Sequence, residues 1–451
     1  MTAPRGGRYI TGMAVHRVAE KGRSYFAKIK NAPKESRQTL AFVLAAALAY
    51  CLRGSQYILQ PQLYAEDGAT WLADGFNTGL RSLASPYNGF FHTFERLFGL
   101  LIAQWPLQFA PAIFSLTALL LFCLMVYYLF STRTRILANT YERVFMLLAI
   151  CLIANVDEFF FNFSNSIFLL GISGVLIIVA QKPENRIVSV LEKAVFALSC
   201  FTLPFAWFYL PILLVERFKH HKKTPFFLYV AVAGSMAQLA AYLLSQTERS
   251  SVTLWSLFSK FTLLEIYNQI IIPALRFARI DSGYRGGDHF ALLSIGLIIA
   301  ACLAMTIIVL KKSDKHVWYL IFFLFAMTAA SLKSPLVGHN VGAYRTLKIM
   351  STTPWGDRYF IFGILAAMLI MVKFTYLLIA PRFRYAFIAI FMALGLVASL
   401  QFHSLMINRQ LADLRGQYYS NIRLLQSHST DSISIPVNPS GWSIELRRKK
   451  T

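Results

Sequence analysis

The stretch Leu63-Tyr64-Ala65-Glu66-Asp67-Gly68-Ala69-Thr70-Trp71 sets two adjacent carboxylates beside a glycine, just past the first long apolar run. Acid groups at a lipid-water boundary are expensive to keep and usually serve function. Glu66 or Asp67 could take a proton from a hydroxyl group, the step that a group transfer to an alcohol requires of its base. Adjacent residues of a helix point about 100° apart, so only one of the pair faces a given reacting atom. Asp67 is the favoured base, with Glu66 left to orient or hydrogen-bond the substrate. The alternatives are helix capping, in which carboxylates satisfy free backbone N–H groups at a positive dipole end, and a divalent ion held between the two acids. No metal is expected, because Arg and Lys can stabilise a departing phosphate without one.

Downstream, the same loop carries Asp74, Arg81, His92, Glu95 and Arg96 on a short amphipathic stretch. A second acidic pair, Asp157-Glu158, lies in Asn155-Val156-Asp157-Glu158-Phe159-Phe160-Phe161-Asn162. Its flanking aromatics suit an interface, where it could bind an acceptor, support the first acidic loop or solvate a turn. His92, His289 and His339 are isolated histidines, each more often a satisfied loop residue than a ligand.

These residues need elements that place them at a membrane surface. Of 451 residues, 56% are hydrophobic and 14% charged, which defines a membrane class before any motif is considered. The formal charge of +23 follows from Lys and Arg gathered in cytoplasmic loops. No nucleic-acid-binding motif accompanies it, so no nucleic acid is expected as a partner. Cys51, Cys123, Cys151, Cys200 and Cys302 all fall in apolar segments at no metal-ligand or disulfide spacing. A Walker-type loop and a Rossmann glycine pattern are both missing, and no cofactor is expected.

Apolar runs predict an all-α polytopic bundle of about eleven membrane helices. They lie near 38–59, 107–130, 144–156, 164–180, 190–203, 204–217, 225–245, 290–310, 316–331, 358–378 and 384–405. The four between 144 and 217 are short for full spans, so tilted, bent or re-entrant helices are expected there. Residues 1–37 form a basic arm without a leader-cleavage pattern, 38–405 the membrane domain, and 406–451 a polar tail. Within the tail, 432–437 alternates like a short strand, and the tail is expected to pack on the loops.

Arg133, Arg135, Arg143, Lys182, Arg186, Lys311, Lys312, Lys315, Arg382 and Arg384 all fall on the N-terminal side, which the positive-inside bias makes cytoplasmic. The long connections, 60–106, 246–289 and 332–357, then lie outside with the tail. They carry cations against the bias: Arg81 and Arg96, then Lys260, Arg276, Arg279 and Arg285, then Lys333, Arg345, Lys348 and Arg358. Such cations pair with phospholipid headgroups or with the phosphate of a lipid-linked substrate. Residues 251–277 have helical amphipathic spacing and are expected to lie along the membrane plane. The three glycines of 281–289 suit a surface turn or a mobile loop.

Four motifs carry a resemblance: the long first external loop with its acidic pair, Pro86-Tyr87-Asn88-Gly89-Phe90-Phe91-His92-Thr93-Phe94-Glu95-Arg96-Leu97, Gly356-Asp357-Arg358-Tyr359-Phe360, and Asn438-Pro439-Ser440-Gly441-Trp442. Together they resemble bacterial membrane glycosyltransferases of the GT-C superfamily, nearest to the Gtr-type O-antigen glucosyltransferases. The resemblance implies a polyprenyl-phosphate sugar donor, an inverting mechanism and a cell-surface or lipid-linked glycan acceptor, in the bacterial inner membrane. It places the loop carboxylate at Glu66 or Asp67, and Arg358 and Tyr359 near the donor phosphate. Tyr87, Asn88, His92, Arg96, Asp157, Glu158, Arg285, Lys333 and Arg345 complete the expected substrate contacts. The short tail departs from better-known members, which leaves acceptor recognition to the loops. Alternatives are a non-enzymatic transporter or flippase of polyprenyl-linked sugars and an O-antigen polymerase or ligase. A transporter should carry charges along a path through its spans, whereas this chain gathers its acids and non-cytoplasmic bases on one face.

Overall fold

A computed structural model describes residues 34–153, 162–220, 225–245, 260–275, 289–333, 360–407, 413–427 and 430–447. The chain is helical nearly throughout. In order come α1 (Lys34–Arg53), α2 (Ala73–Thr78), α3 (Thr93–Ile102), α4 (Ala110–Phe130), α5 (Thr140–Cys151), α6 (Phe163–Val179), α7 (Arg186–Thr202) and α8 (Phe205–His220). They are followed by α9 (Pro225–Leu244), α10 (Lys260–Ile266), α11 (His289–Lys312), α12 (Lys315–Lys333), α13 (Ile361–Leu378), α14 (Arg384–Ile407) and α15 (Arg415–Gln426). An antiparallel hairpin closes the chain, β1 (Ser432–Val437) pairing with β2 (Trp442–Arg447).

Five described segments are long and apolar enough to cross a membrane: Leu107–Phe130, Pro225–Leu244, Leu293–Lys312, Lys315–Leu332 and Ile361–Leu378. With their exposed Leu, Ile and Phe side chains, they define an all-α membrane protein. The expected first segment, 38–59, is broken: α1 ends at Arg53, Gly54 interrupts, and a separate short helix runs Ser55–Leu59. Glycine weakens a helix interior, which accounts for the break.

The organising element is α6. Every one of its 17 residues is buried, as a helix apolar on all sides must be. It packs on α4 and α7, and Tyr209 of α8 donates its hydroxyl to the Gly171 carbonyl at 2.6 Å. Phe205, Tyr209, Phe323 and Phe362 interleave beside it as a ring cluster, an arrangement that favours offset and edge contacts. The described part of the stretch expected along the membrane plane runs from Lys260 to Leu275 and is largely buried, with Ile270 against Gly363 of α13; residues 251–259, 276–288 and 334–359 lie outside the described residues.

Both ends of the bundle are polar. At the end where α4 finishes and α5 begins, Lys373 meets Glu142 at 2.6 Å, Arg133 meets Glu192 at 2.7 Å and Lys315 meets Glu216 at 3.0 Å. The other end holds the acidic loop and the tail. The tail exceeds its expected single strand: Ser432 to Val437 pairs with Arg447 to Trp442, and the hairpin seats on the loop. Ala65 N–H donates to the Asn438 carbonyl, Asn77 donates to the Glu445 carbonyl at 2.6 Å and accepts from Arg447 N–H at 2.8 Å, and Ile444 packs over Gly68.

Candidate functional site: the first loop

The loop between α1 and α4 folds as a chain of tight helical turns. Ala65 takes a left-handed backbone (φ 41°), and a π-helical turn then runs Asp67–Leu72 into α2. Pro86 to Phe90 forms a two-residue hairpin turn, with Asn88 and Gly89 both at positive φ and Tyr87 and Phe90 exchanging backbone bonds of 2.8 and 3.0 Å. Asn-Gly is the pair such a turn demands. α2 and α3 then cross at Gly75 and Gly99, where a Cβ on Gly99 would stand 2.1 Å from the Trp71 carbonyl oxygen.

Asp67 is 2% exposed, and its carboxylate reaches across 96 residues to the start of α6. It accepts Phe163 N–H at 3.2 Å, Ser164 N–H at 2.8 Å and the Ser164 hydroxyl. Asn162, at the cap position, takes Asn165 N–H at 3.2 Å. The first free N–H groups of α6 are thereby satisfied, and the carboxylate sits at the positive end of the helix dipole. Burial pushes the Asp67 carboxyl up to about 7, against the bonds from Ser164 and with a smaller upward push from Glu66. Of the acidic pair, Asp67 alone acts as a helix cap, and the helix it caps is α6 and not the loop's own.

Glu66 is placed differently. It is half-buried, its carboxylate forms no hydrogen bond with a described residue, and its Oε2 is enclosed without a partner. Of the two acids, Glu66 is the one with capacity left over.

Trp71 ties the rest together. Its Nε1 donates to Ser164 Oγ at 2.7 Å, so Trp71, Ser164 and Asp67 form one directed chain. His92 stacks on the Trp71 ring at 5.1 Å, Tyr87 meets both rings edge-on, and the Arg96 guanidinium lies 5.5 Å from the Trp71 centroid. His92 is itself left-handed (φ 52°) and its Nδ1 lies 2.7 Å from Glu95 Oε1. Glu95 is fully buried, and Arg96, 2% exposed, binds Asp74 at 2.9 Å. One Glu95 oxygen and the Arg96 Nε are enclosed without partners. The cluster thus holds four carboxylates, Glu66, Asp67, Asp74 and Glu95, around one arginine and one histidine.

Of the expected site residues, Glu66, Asp67, Tyr87, Asn88, His92 and Arg96 share this loop. Asp157, Glu158, Arg285, Arg345, Arg358 and Tyr359 lie outside the described residues, and Lys333 is described only as the last residue of α12. Ser164 was not singled out; the Asn-x-x-Asn spacing of Asn162 and Asn165 ahead of an apolar run was the signal of a helix start there. Glu265, fully buried with both oxygens enclosed and unpartnered, is a second residue that spacing did not single out.

No group of His, Cys, Asp and Glu able to hold a metal ion occurs among the described residues. The fold and loop define the class, an all-α membrane protein with an acidic, strained loop at one end of its bundle. Comparison with known proteins goes no further, since no family model, curated protein or solved structure matches the chain.

Proposed function

We propose that the chain is a membrane glycosyltransferase of the GT-C kind, moving a sugar with inversion from a polyprenyl-phosphate donor to a cell-surface or lipid-linked glycan. In this reading the bundle has about eleven spans in the bacterial inner membrane, with a cytoplasmic N-terminus and the acidic loop and tail outside. The observation that carries it is the division of labour between adjacent carboxylates: Asp67 is spent on α6, while Glu66 is held beside it with an unpartnered oxygen.

Glu66 accepts the proton of the acceptor hydroxyl as its oxygen bonds to the anomeric carbon. The bond from that carbon to the lipid phosphate breaks, and the phosphate leaves with the electron pair. Cations must meet that charge; Arg96, over Trp71 in the same loop, is a described candidate, and Arg285, Lys333, Arg345 and Arg358 are those of the later loops. Asp67 acts as a positioning residue that locks the π-turn, and hence Glu66, to the rigid end of α6. The transporter alternative needs a polar path between the two ends. From Ile167 to Val179, α6 offers Ser173 as its one polar side chain, and that hydroxyl is spent on the Leu169 carbonyl.

The test is release of polyprenyl phosphate from a labelled polyprenyl-phosphate sugar by the full chain in nanodiscs. Glu66→Gln is expected to cut turnover by at least about a hundredfold with unchanged folding, the scale of a lost general base. Wild-type turnover in that variant would remove Glu66 from the chemistry. Consumption only of a pyrophosphate-linked donor would identify a polymerase or ligase instead, and passage of intact donor across the bilayer a transporter.

A further inference from the structure

The opposite end of the bundle holds a site that the transferase reading does not use. Where α4 hands over to α5, α11 to α12, and α13 ends, a cleft of about 440 Å³ opens. α4, at about 1.5 Å per residue over its length, separates it from the acidic loop by roughly 30 Å, the thickness of a bilayer core. Arg135, Arg143, Lys312 and Lys373 line it against Glu142 and Asp314, an excess of two positive charges.

The cations are more than a solvated fringe. Arg143 and Lys373 are each 8% exposed, and burying charge is costly unless the group is paired. Glu142 is already committed, its Oε2 accepting from Lys373 Nζ at 2.6 Å and from Ala138 N–H at 2.8 Å. Lys373 thereby uses one of three N–H donors. Arg143 spends its Nε on the Leu137 carbonyl at 3.3 Å, and its two terminal nitrogens, like the Lys312 ammonium, have no acceptor among the described residues. Arg135 holds a left-handed backbone (φ 56°) at the rim, a conformation that costs energy for a residue with a side chain. Val317, Tyr376 and the half-exposed Leu377 give the cleft an apolar flank.

We propose that this cleft binds a phosphate group, carried by a phospholipid or free in solution. A guanidinium fork with two spare nitrogens matches phosphate oxygens in a bidentate manner, and the two surplus positive charges of the lining suffice for the single charge of a phosphodiester or the higher charge of free phosphate. The apolar flank at headgroup depth accommodates the glycerol and first methylenes of a lipid. The proposal is independent of the transferase reading.

The test uses the full chain, delipidated in detergent, with binding followed by native mass spectrometry. Phosphatidylglycerol, diacylglycerol as the phosphate-free control, and inorganic phosphate are titrated in turn. Wild type is expected to retain phosphatidylglycerol and not diacylglycerol. Arg143→Gln and Lys312→Gln are each expected to weaken binding about tenfold, as removal of a charge-assisted bond does. Arg382→Gln, whose guanidinium lies over Phe383 outside the cleft, should leave it unchanged. If inorganic phosphate shows this dependence and the lipid does not, the source is free phosphate; the reverse assigns a lipid. Lys312 is exposed at a helix end, so its variant keeps the test valid should Arg143→Gln fold poorly. Affinities that ignore both substitutions, or diacylglycerol binding as tightly as phosphatidylglycerol, would overturn the proposal.

Discussion

Replacing Asp67 by Asn separates a structural carboxylate from a chemical one through the pH dependence of stability. The unfolded chain releases the Asp67 proton at about 3.9, the ordinary aspartate value, whereas the folded chain holds it up to about 7. Between those values the folded state binds more protons, so rising pH drains stability by about 1.4 kcal/mol per pH unit, about 4 kcal/mol in all. Below about pH 4 the full contribution is present; above about 7 it is gone. Asparagine has no proton to lose. Its single carbonyl oxygen can keep Ser164 N–H and the Ser164 hydroxyl, but its amide nitrogen faces Phe163 N–H, now held at 3.2 Å by Oδ2. That mismatch costs about 1–3 kcal/mol at every pH. The variant is therefore less stable at the acid end and overtakes wild type toward neutrality. Unfolding in mixed micelles with increasing dodecyl sulfate, at about one-unit pH steps from about 4 to 8, reads the difference directly. A wild-type-minus-variant difference that stays flat across the window would refute the assignment of Asp67 as a buried, proton-holding cap of α6.

Two further substitutions probe the parts that hold the loop and the far end. Gly99→Ala sets a methyl group 2.1 Å from the Trp71 carbonyl oxygen, and because that oxygen is backbone, the π-turn Asp67–Leu72 and α3 must part; a loss of about 1–3 kcal/mol and a fall in any Glu66-dependent turnover are expected, and a wild-type melting temperature would sink the close-packing account. Glu142→Gln strands Lys373, 8% exposed and 2.6 Å away, and is expected to cost about 3–5 kcal/mol. Adding Lys373→Met should recover most of that loss; simple additivity in the double variant would show that the pair is not coupled.

The membrane character was legible in the apolar runs because crossing a bilayer takes about twenty predominantly apolar residues; 107–130, 225–245, 290–310 and 358–378 reach that length, and 316–331 falls somewhat short of it. The acidic loop was legible because Glu66 and Asp67 interrupt that pattern at a boundary. What spacing could not disclose was the partner of each acid. Asp67 meets Phe163 across 96 residues and four intervening helices, a contact with no local periodicity to announce it. The tail shows a related limit: Ser432 to Val437 and Trp442 to Arg447 both alternate apolar and polar residues, but their pairing with each other and the docking of the hairpin on Asn77 are set by tertiary contact. The break between Arg53 and Ser55 is marked in the sequence by the non-apolar run Arg53-Gly54-Ser55-Gln56, which divides the apolar stretch 38–59 in two.

The loop also concentrates strain. Of the four described non-glycine residues at positive φ, three are Ala65, Asn88 and His92. Asn88 is explained by its turn, but left-handed Ala65 and His92 each cost about 1–3 kcal/mol and persist only if surrounding contacts over-determine them. Those contacts are present on both sides. Ala65 is pinned by its bond to the Asn438 carbonyl and by Asp67 on α6, and His92 by its N–H to the Thr202 carbonyl at 3.0 Å and its ring against Trp71 and Glu95. The tail hairpin and the ends of α6 and α7 thus bear on the two residues that aim Glu66 and His92. A loop serving only to join α1 to α4 would relax such angles at no loss to the bundle. Strain kept at the residue before the free carboxylate and at the histidine beside it therefore favours a loop shaped to present those side chains.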